Sequence, residues 1–269
     1  MATLSLEDLD IDYLDEGSGP AVILLHSGAS SHRQWRRLID ELRPSCRVLA
    51  PNLYGYGGTT AWDEDGAQTL ASQARIVIEL TSLINGPVSL VGHSMGGAVA
   101  VKAAEMIPGR VSRLVLLEPN PFHLLRDNGR HEAFAEVQAL RDCTRADFGT
   151  NRWTAVAERF TEYWVGPGSW ARLPAERQAA FERNLLPTYH EWDALWSERT
   201  TLEDLQVLPK KTMLLRSADA PRSIREICEL LSAAFPHWRY EIIAEGGHMA
   251  AVTHPQQVNP LVMEFLADE

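Results

Sequence analysis

One stretch constrains this chain more than any other: Val88-Ser89-Leu90-Val91-Gly92-His93-Ser94-Met95-Gly96-Gly97-Ala98-Val99-Ala100. Val88 to Val91 is short, apolar and rich in β-branched residues, which predicts a buried strand. Ala98 to Met106 predicts an Ala-rich amphipathic helix. Between them the chain must turn sharply through Gly92-x-Ser94-x-Gly96. A Cβ at either glycine would crowd the neighbouring strand or helix, and glycine tolerates a strained backbone. The serine at the apex then projects its hydroxyl above the sheet edge, at a helix N-terminus whose N–H groups favour an anion. The predicted strand before the turn and the predicted helix after it separate this Gly-x-Ser-x-Gly from the many small-residue turns that share its spelling.

The elements on either side repeat the pattern. Leu4 to Leu14 alternates apolar and acidic residues, as a half-exposed hairpin would. Ala21–Leu25 is wholly apolar and suits an inner parallel strand. Helices are predicted over His32–Leu42, Ala67–Ile84, Ile224–Phe235 and Pro255–Leu266. Further strands are predicted at Arg47–Pro51, Arg113–Glu118, Lys211–Arg216 and Arg239–Ile243. Strands alternating with helices mean an α/β, doubly wound, mostly parallel sheet. From Pro121 to about Leu208 strand-like runs vanish, and five of the eight tryptophans fall there. That shift predicts a helical cap over 121–208, inserted after the sixth strand, with 1–120 and 209–269 as the core domain.

A chain of 269 residues can bury a large core without staples. Its net charge of −11 argues against nucleic acid and anionic membrane as partners. Cys46, Cys143 and Cys228 lie far apart, with no metal-ligand spacing among them. No apolar run approaches the roughly 20 residues of a membrane span. No metal site is expected, and a reducing, cytoplasmic location is.

A serine hydroxyl needs a base within hydrogen-bond reach. Of the nine histidines, His248 follows the last predicted strand, at the sheet edge where α/β active sites assemble. The base in turn needs a carboxylate to fix its tautomer. Asp219, just past the Lys211–Arg216 strand, is the preferred acid, and Glu118, ending the Arg113–Glu118 strand, is the alternative. An oxyanion needs two donors, expected from the backbone N–H groups of Met95 and Gly28.

Together these residues resemble the cap-bearing α/β-hydrolase superfamily, over nearly the whole chain. The matching stretches are Leu25-His26-Ser27-Gly28, Asn52-Leu53-Tyr54-Gly55-Tyr56-Gly57, Gly92-His93-Ser94-Met95-Gly96-Gly97, Asp219 and Gly247-His248. Ser27 stands where that family usually has Gly, and Asn52 where Asp is common. The resemblance implies an eight-stranded sheet and hydrolysis through an acyl-enzyme without a cofactor. A serine rather than an aspartate nucleophile points to a carboxylic ester, thioester or lactone. C–C bond hydrolysis, cofactor-free perhydrolysis and a hydrolase-like small-molecule receptor stay open beside it. Phe122, Trp153, Trp164 and Trp192 are candidates for lining a substrate pocket under the cap, which would suit a small-molecule substrate with a medium-sized apolar or aromatic acyl group; each could equally be cap core.

Overall fold

Strands β1 (Ala2–Ser5) and β2 (Asp10–Glu16) form the expected hairpin, antiparallel with Ala2 opposite Tyr13. In this computed structural model, which describes residues 1–62, 66–150 and 152–268, the chain then alternates as the hydrophobic pattern predicts. β3 (Ala21–Leu25) leads through a 3-10 turn into α1 (Arg36–Leu42), and β4 (Arg47–Pro51) leads to α2 (Leu70–Thr81). β5 (Val88–His93) runs into α3 (Met95–Met106), and β6 (Val111–Leu117) follows.

Helix α2 is shorter at both ends than its periodicity suggests. Its start is set by a capping box, in which the Ser72 N–H donates to Thr69 Oγ1 and the Thr69 N–H donates to Ser72 Oγ, both at 3.0 Å.

Among the described residues, six α-helices occupy the stretch between the sixth and seventh strands: α4 (His123–Asp127), α5 (His131–Gly149), α6 (Trp153–Val165), α7 (Ser169–Arg172), α8 (Ala175–Arg183) and α9 (Leu186–Ser197). The chain returns to the sheet with β7 (Thr212–Ser217), α10 (Arg222–Ala234) and β8 (Arg239–Ile243). It closes with α11 (Ala250–Thr253) and α12 (Pro255–Ala267).

The eight strands among the described residues lie in the order β1-β2-β4-β3-β5-β6-β7-β8, parallel from β4 to β8. Side chains alternate between the two faces of a strand, so a strand covered on both sides must be apolar throughout. In β3, Ile23 and Leu25 pack with Ala74, Val77 and Val99, whereas Val22 and Leu24 pack with Leu38, Val262 and Phe265. A separate cluster of Phe148, Val156, Ala157, Trp170 and Leu185 sits among the inserted helices and reaches Ala29 in the loop after β3. The loops after β3, β5, β6, β7 and β8 therefore meet at one edge of the sheet, beneath the inserted helices.

Candidate active site

Three non-glycine residues among those described have a positive φ: Ala29 at 53°, Ser94 at 53° and Glu118 at 47°. Such a backbone is disfavoured for any residue with a Cβ, and it persists only where the surroundings enforce it. Each lies just beyond a parallel strand, after β3, β5 and β6.

At Ser94 the cause is steric. A Cβ on Gly92 would collide with the Gly96 carbonyl, and one on Gly96 with the Leu25 carbonyl. Strand and helix therefore approach closer than side chains would allow. The Ser94 N–H is tied to the Leu117 carbonyl at 3.0 Å, while the Ser94 carbonyl accepts the first bonds of α3 from Gly97 and Ala98. The hydroxyl is left at the apex, 5% exposed.

His248 comes from a 3-10 turn after β8, Gly247–Met249, entered through Gly246 and Gly247 at φ 117° and 55°. Its Nε2 is 2.8 Å from Ser94 Oγ, and its Nδ1 is 2.8 Å from Glu118 Oε2. The acid on the imidazole is thus Glu118, and the expected contact from Asp219 is not made. The positive φ at Glu118 turns its carboxyl beneath the ring, where the Ser217 N–H holds Oε1 at 2.6 Å. Asp219 is exposed instead, and it accepts the Gly247 N–H at 2.9 Å and the Ser217 hydroxyl. It secures the loop that carries His248 rather than the ring itself. Nor does it cap the following helix, whose N-cap is Pro221.

Burial disfavours charge on both members of the His248–Glu118 pair. It pushes the carboxyl up to about 7, against the stabilising Ser217 N–H, and holds the imidazole well below its usual value. The resting arrangement above neutral pH is a neutral imidazole with its Nδ1–H directed at an ionised Glu118. Nε2 then faces the hydroxyl as an acceptor. Trp164 lies against the same imidazole, with ring centroids 4.2 Å apart.

The N–H of Met95 opens α3, and the N–H of Gly28 lies in the loop after β3; neither is hydrogen-bonded among the described residues. Both residues line the cavity that holds Ser94 and His248. Ser27, which stands where the resembled family usually has Gly, anchors its loop: its N–H and hydroxyl both donate to Gln34 Oε1, at 3.1 and 2.9 Å. Gln34 passes the contact on, its amide lying 3.1 Å from His93 Nδ1, and His93 Nε2–H donates to the His248 carbonyl at 2.8 Å. Buried His93 is held neutral, as both roles require. Three loops are joined by this chain of hydrogen bonds, which no motif in the sequence announced. Asn52 is structural: its side chain holds Asp12 Oδ2 at 2.8 Å and the His32 N–H at 3.0 Å.

The cavity, about 420 Å³, is walled chiefly by aromatic and aliphatic side chains. Phe122, Trp164 and Trp192 are among them, with Phe122 stacked between the two tryptophans at 6.4 and 6.0 Å. Trp153 is not in the wall. It packs edge-on against Phe148 of α5 at 5.0 Å: it shares a face of α6 with Phe160 and Trp164 but lies about three turns from Trp164 along the axis, and the cavity is lined by the later turns. Phe160, Phe181 and Glu191 also line the space. Among the described residues no group of three or more His, Cys, Asp or Glu is placed to hold a metal, and no helix is long and apolar enough to cross a membrane.

With this geometry in view, the comparison with known proteins is decisive at the family level. Residues 22–261 match the model of the alpha/beta hydrolase family. The chain belongs to that family. A probable protein phosphatase methylesterase 1 of Caenorhabditis elegans is 37% identical over 226 residues, 77% of this chain and 59% of that protein. Lipase LipV of Mycobacterium tuberculosis is 40% identical over 106 residues, 38% of each chain. The chain thus spans less than two thirds of the length of these relatives. Among solved structures, a hydrolase from Pseudomonas aeruginosa PA01 superposes with a TM-score of 0.78 at 22% identity, over 99% of this chain and 98% of that one. The match confirms the fold.

Proposed function

We propose that this alpha/beta hydrolase cleaves a carboxylic ester through an acyl-enzyme, with Ser94 as nucleophile, His248 as base and Glu118 as the acid behind it. The observation that carries this reading is the unbroken chain Ser94 Oγ, His248 Nε2, His248 Nδ1, Glu118 Oε2, with 2.8 Å at both links. A hydroxyl, an imidazole and a carboxylate in that order form a relay that makes serine nucleophilic.

As Ser94 Oγ attacks the carbonyl carbon, its proton passes to His248 Nε2, and Glu118 stabilises the imidazolium. The carbonyl oxygen, now anionic, is taken by the free N–H groups of Gly28 and Met95. His248 returns the proton to the departing alcohol, leaving Ser94 acylated. A water then repeats the sequence and releases the acid. The wall of Phe122, Trp164 and Trp192 suits a small apolar or aromatic substrate, and the methylesterase and lipase relatives support ester cleavage. The three free cysteines fit a reducing, cytoplasmic setting.

The test is turnover of p-nitrophenyl esters of increasing acyl length by the wild type and by Ser94→Ala, with a fluorophosphonate label mapped by mass spectrometry. Sustained hydrolysis lost in the variant, with the label on Ser94, is the expected result. Folded protein with no turnover and no label would overturn the reading.

A further inference from the structure

Glu191 stands in the cavity wall on α9, 5% exposed, and has no part in the relay just described. Its Oε1 accepts the Tyr56 hydroxyl at 3.0 Å, and Tyr56 in turn accepts the Ala29 N–H at 2.7 Å. Its other oxygen, Oε2, has no hydrogen-bond partner among the described residues. It lies beside the loop that bears the candidate oxyanion donor, since a Cβ on Gly28 would stand 2.5 Å from it. No ion pair to Glu191 occurs among the described residues. Arg177, an exposed side chain, also lines the cavity, but it makes no ion pair with Glu191 among the described residues.

A buried carboxyl with a spare oxygen and no counter-ion is costly to keep. Burial accordingly pushes it up to about 7, with only the Tyr56 hydroxyl opposing the shift. The cavity it shares is lined by the aromatic rings of Phe122, Phe160, Trp164, Phe181 and Trp192. Ring faces joined to one carboxylate form the surroundings in which proteins hold organic cations. The chain as a whole carries −11, which draws cations toward it.

We propose that Glu191 is a specificity-determining residue that binds an organic cation carried by the substrate, so that the preferred esters bear an ammonium group. This deepens the ester-hydrolase reading and rests on it. The cation supplies the charge that the protein leaves out, while the Tyr56 hydroxyl holds the carboxylate in place. An aliphatic or aryl ester without the cation fills the same volume but leaves Glu191 unpaired.

The test uses matched pairs of esters in which a trimethylammonium group is replaced by its isosteric tert-butyl group. One pair carries it on the acyl side and one on the alcohol side. The readout is the ratio of kcat/KM, cationic over neutral, in the wild type and in Glu191→Gln. Because the ratio is taken within each protein, a general loss of activity cancels. The wild type is expected to favour the cationic member of at least one pair, with the ratio falling about tenfold or more in Glu191→Gln. A ratio below one in both pairs, or a preference that survives Glu191→Gln, would overturn the proposal. If no ester is turned over, the hydrolase reading fails on its own. Binding of the same pairs to Ser94→Ala and to Ser94→Ala/Glu191→Gln, by calorimetry, then decides the cation question separately. Tighter binding of the cationic member that disappears with Glu191→Gln supports the proposal; equal binding of both members overturns it.

Discussion

Two carboxylates end neighbouring strands of this sheet, and they have taken opposite tasks. Glu118, beyond β6, is 2% exposed and meets the imidazole of His248. Asp219, beyond β7, lies at the surface and holds the backbone of the loop that His248 occupies. The difference is not side-chain chemistry, for either could orient an imidazole. It lies in the backbone: a φ of 47° aims Glu118 inward, and the Ser217 N–H waits there for its second oxygen. Desolvation then raises Glu118, whereas hydrogen bonds from Ser217 and Gly247 hold Asp219 below the usual carboxylate range in spite of the desolvation that opposes them.

The comparison can be tested by substitution. Ser94→Ala sets the floor, with kcat expected to fall about 10⁶-fold as in other serine triads. Glu118→Gln should come next, at about 10⁴-fold in kcat, because an amide stabilises the wrong imidazole tautomer. Asp219→Asn should cost less than about tenfold in kcat, since its oxygen can still accept the Gly247 N–H. Comparable losses in the two acid variants would erase the distinction drawn between them.

The pH profile sharpens it further. Glu118 must be ionised to stabilise the imidazolium, so kcat/KM on a neutral ester should rise with pH through about 7. The profile is best recorded in a Glu191→Gln background, because Glu191 is also raised to about 7. Placing Glu118→Gln in that background should remove the rise, and Asp219→Asn should keep it. The smallest effect is structural. Asp219→Ala strands the Gly247 N–H and should cost about 1 kcal/mol. Thermal unfolding would register this as a drop of about 2–4 °C in Tm.

Much of this arrangement was legible from residue order. The apolar run, the paired glycines and Ser94 constrain one another, so the strand, turn and helix could be read before any coordinates. His248 followed from its position after the last strand. The choice between Glu118 and Asp219 did not, because both lie between Ser94 and His248 in the chain and the order Ser, acid, His fits either. What separates them is a positive φ at a non-glycine residue, which leaves no mark in a sequence. Trp153 and Trp164 likewise share one face of a single helix, eleven positions apart, and a periodic pattern does not say that the cavity reaches only the later turns. Glu191 and the Gln34–His93 link depend on contacts across 135 and 59 positions, beyond the reach of any local pattern.

The hydrogen-bonded chain from Ser27 through Gln34 and His93 to the His248 carbonyl has one more consequence. Its members, like Ser94 and Glu118, lie at the ends of the parallel strands or in the segments that follow them, and none comes from the helices described between β6 and β7. The proposed proton relay therefore stands on the sheet, whereas Phe160, Trp164, Phe181, Glu191 and Trp192 of the wall stand on helices between β6 and β7. On the proposed reading, exchanging those helices should change which esters are accepted while Ser94, His248 and Glu118 stay in register.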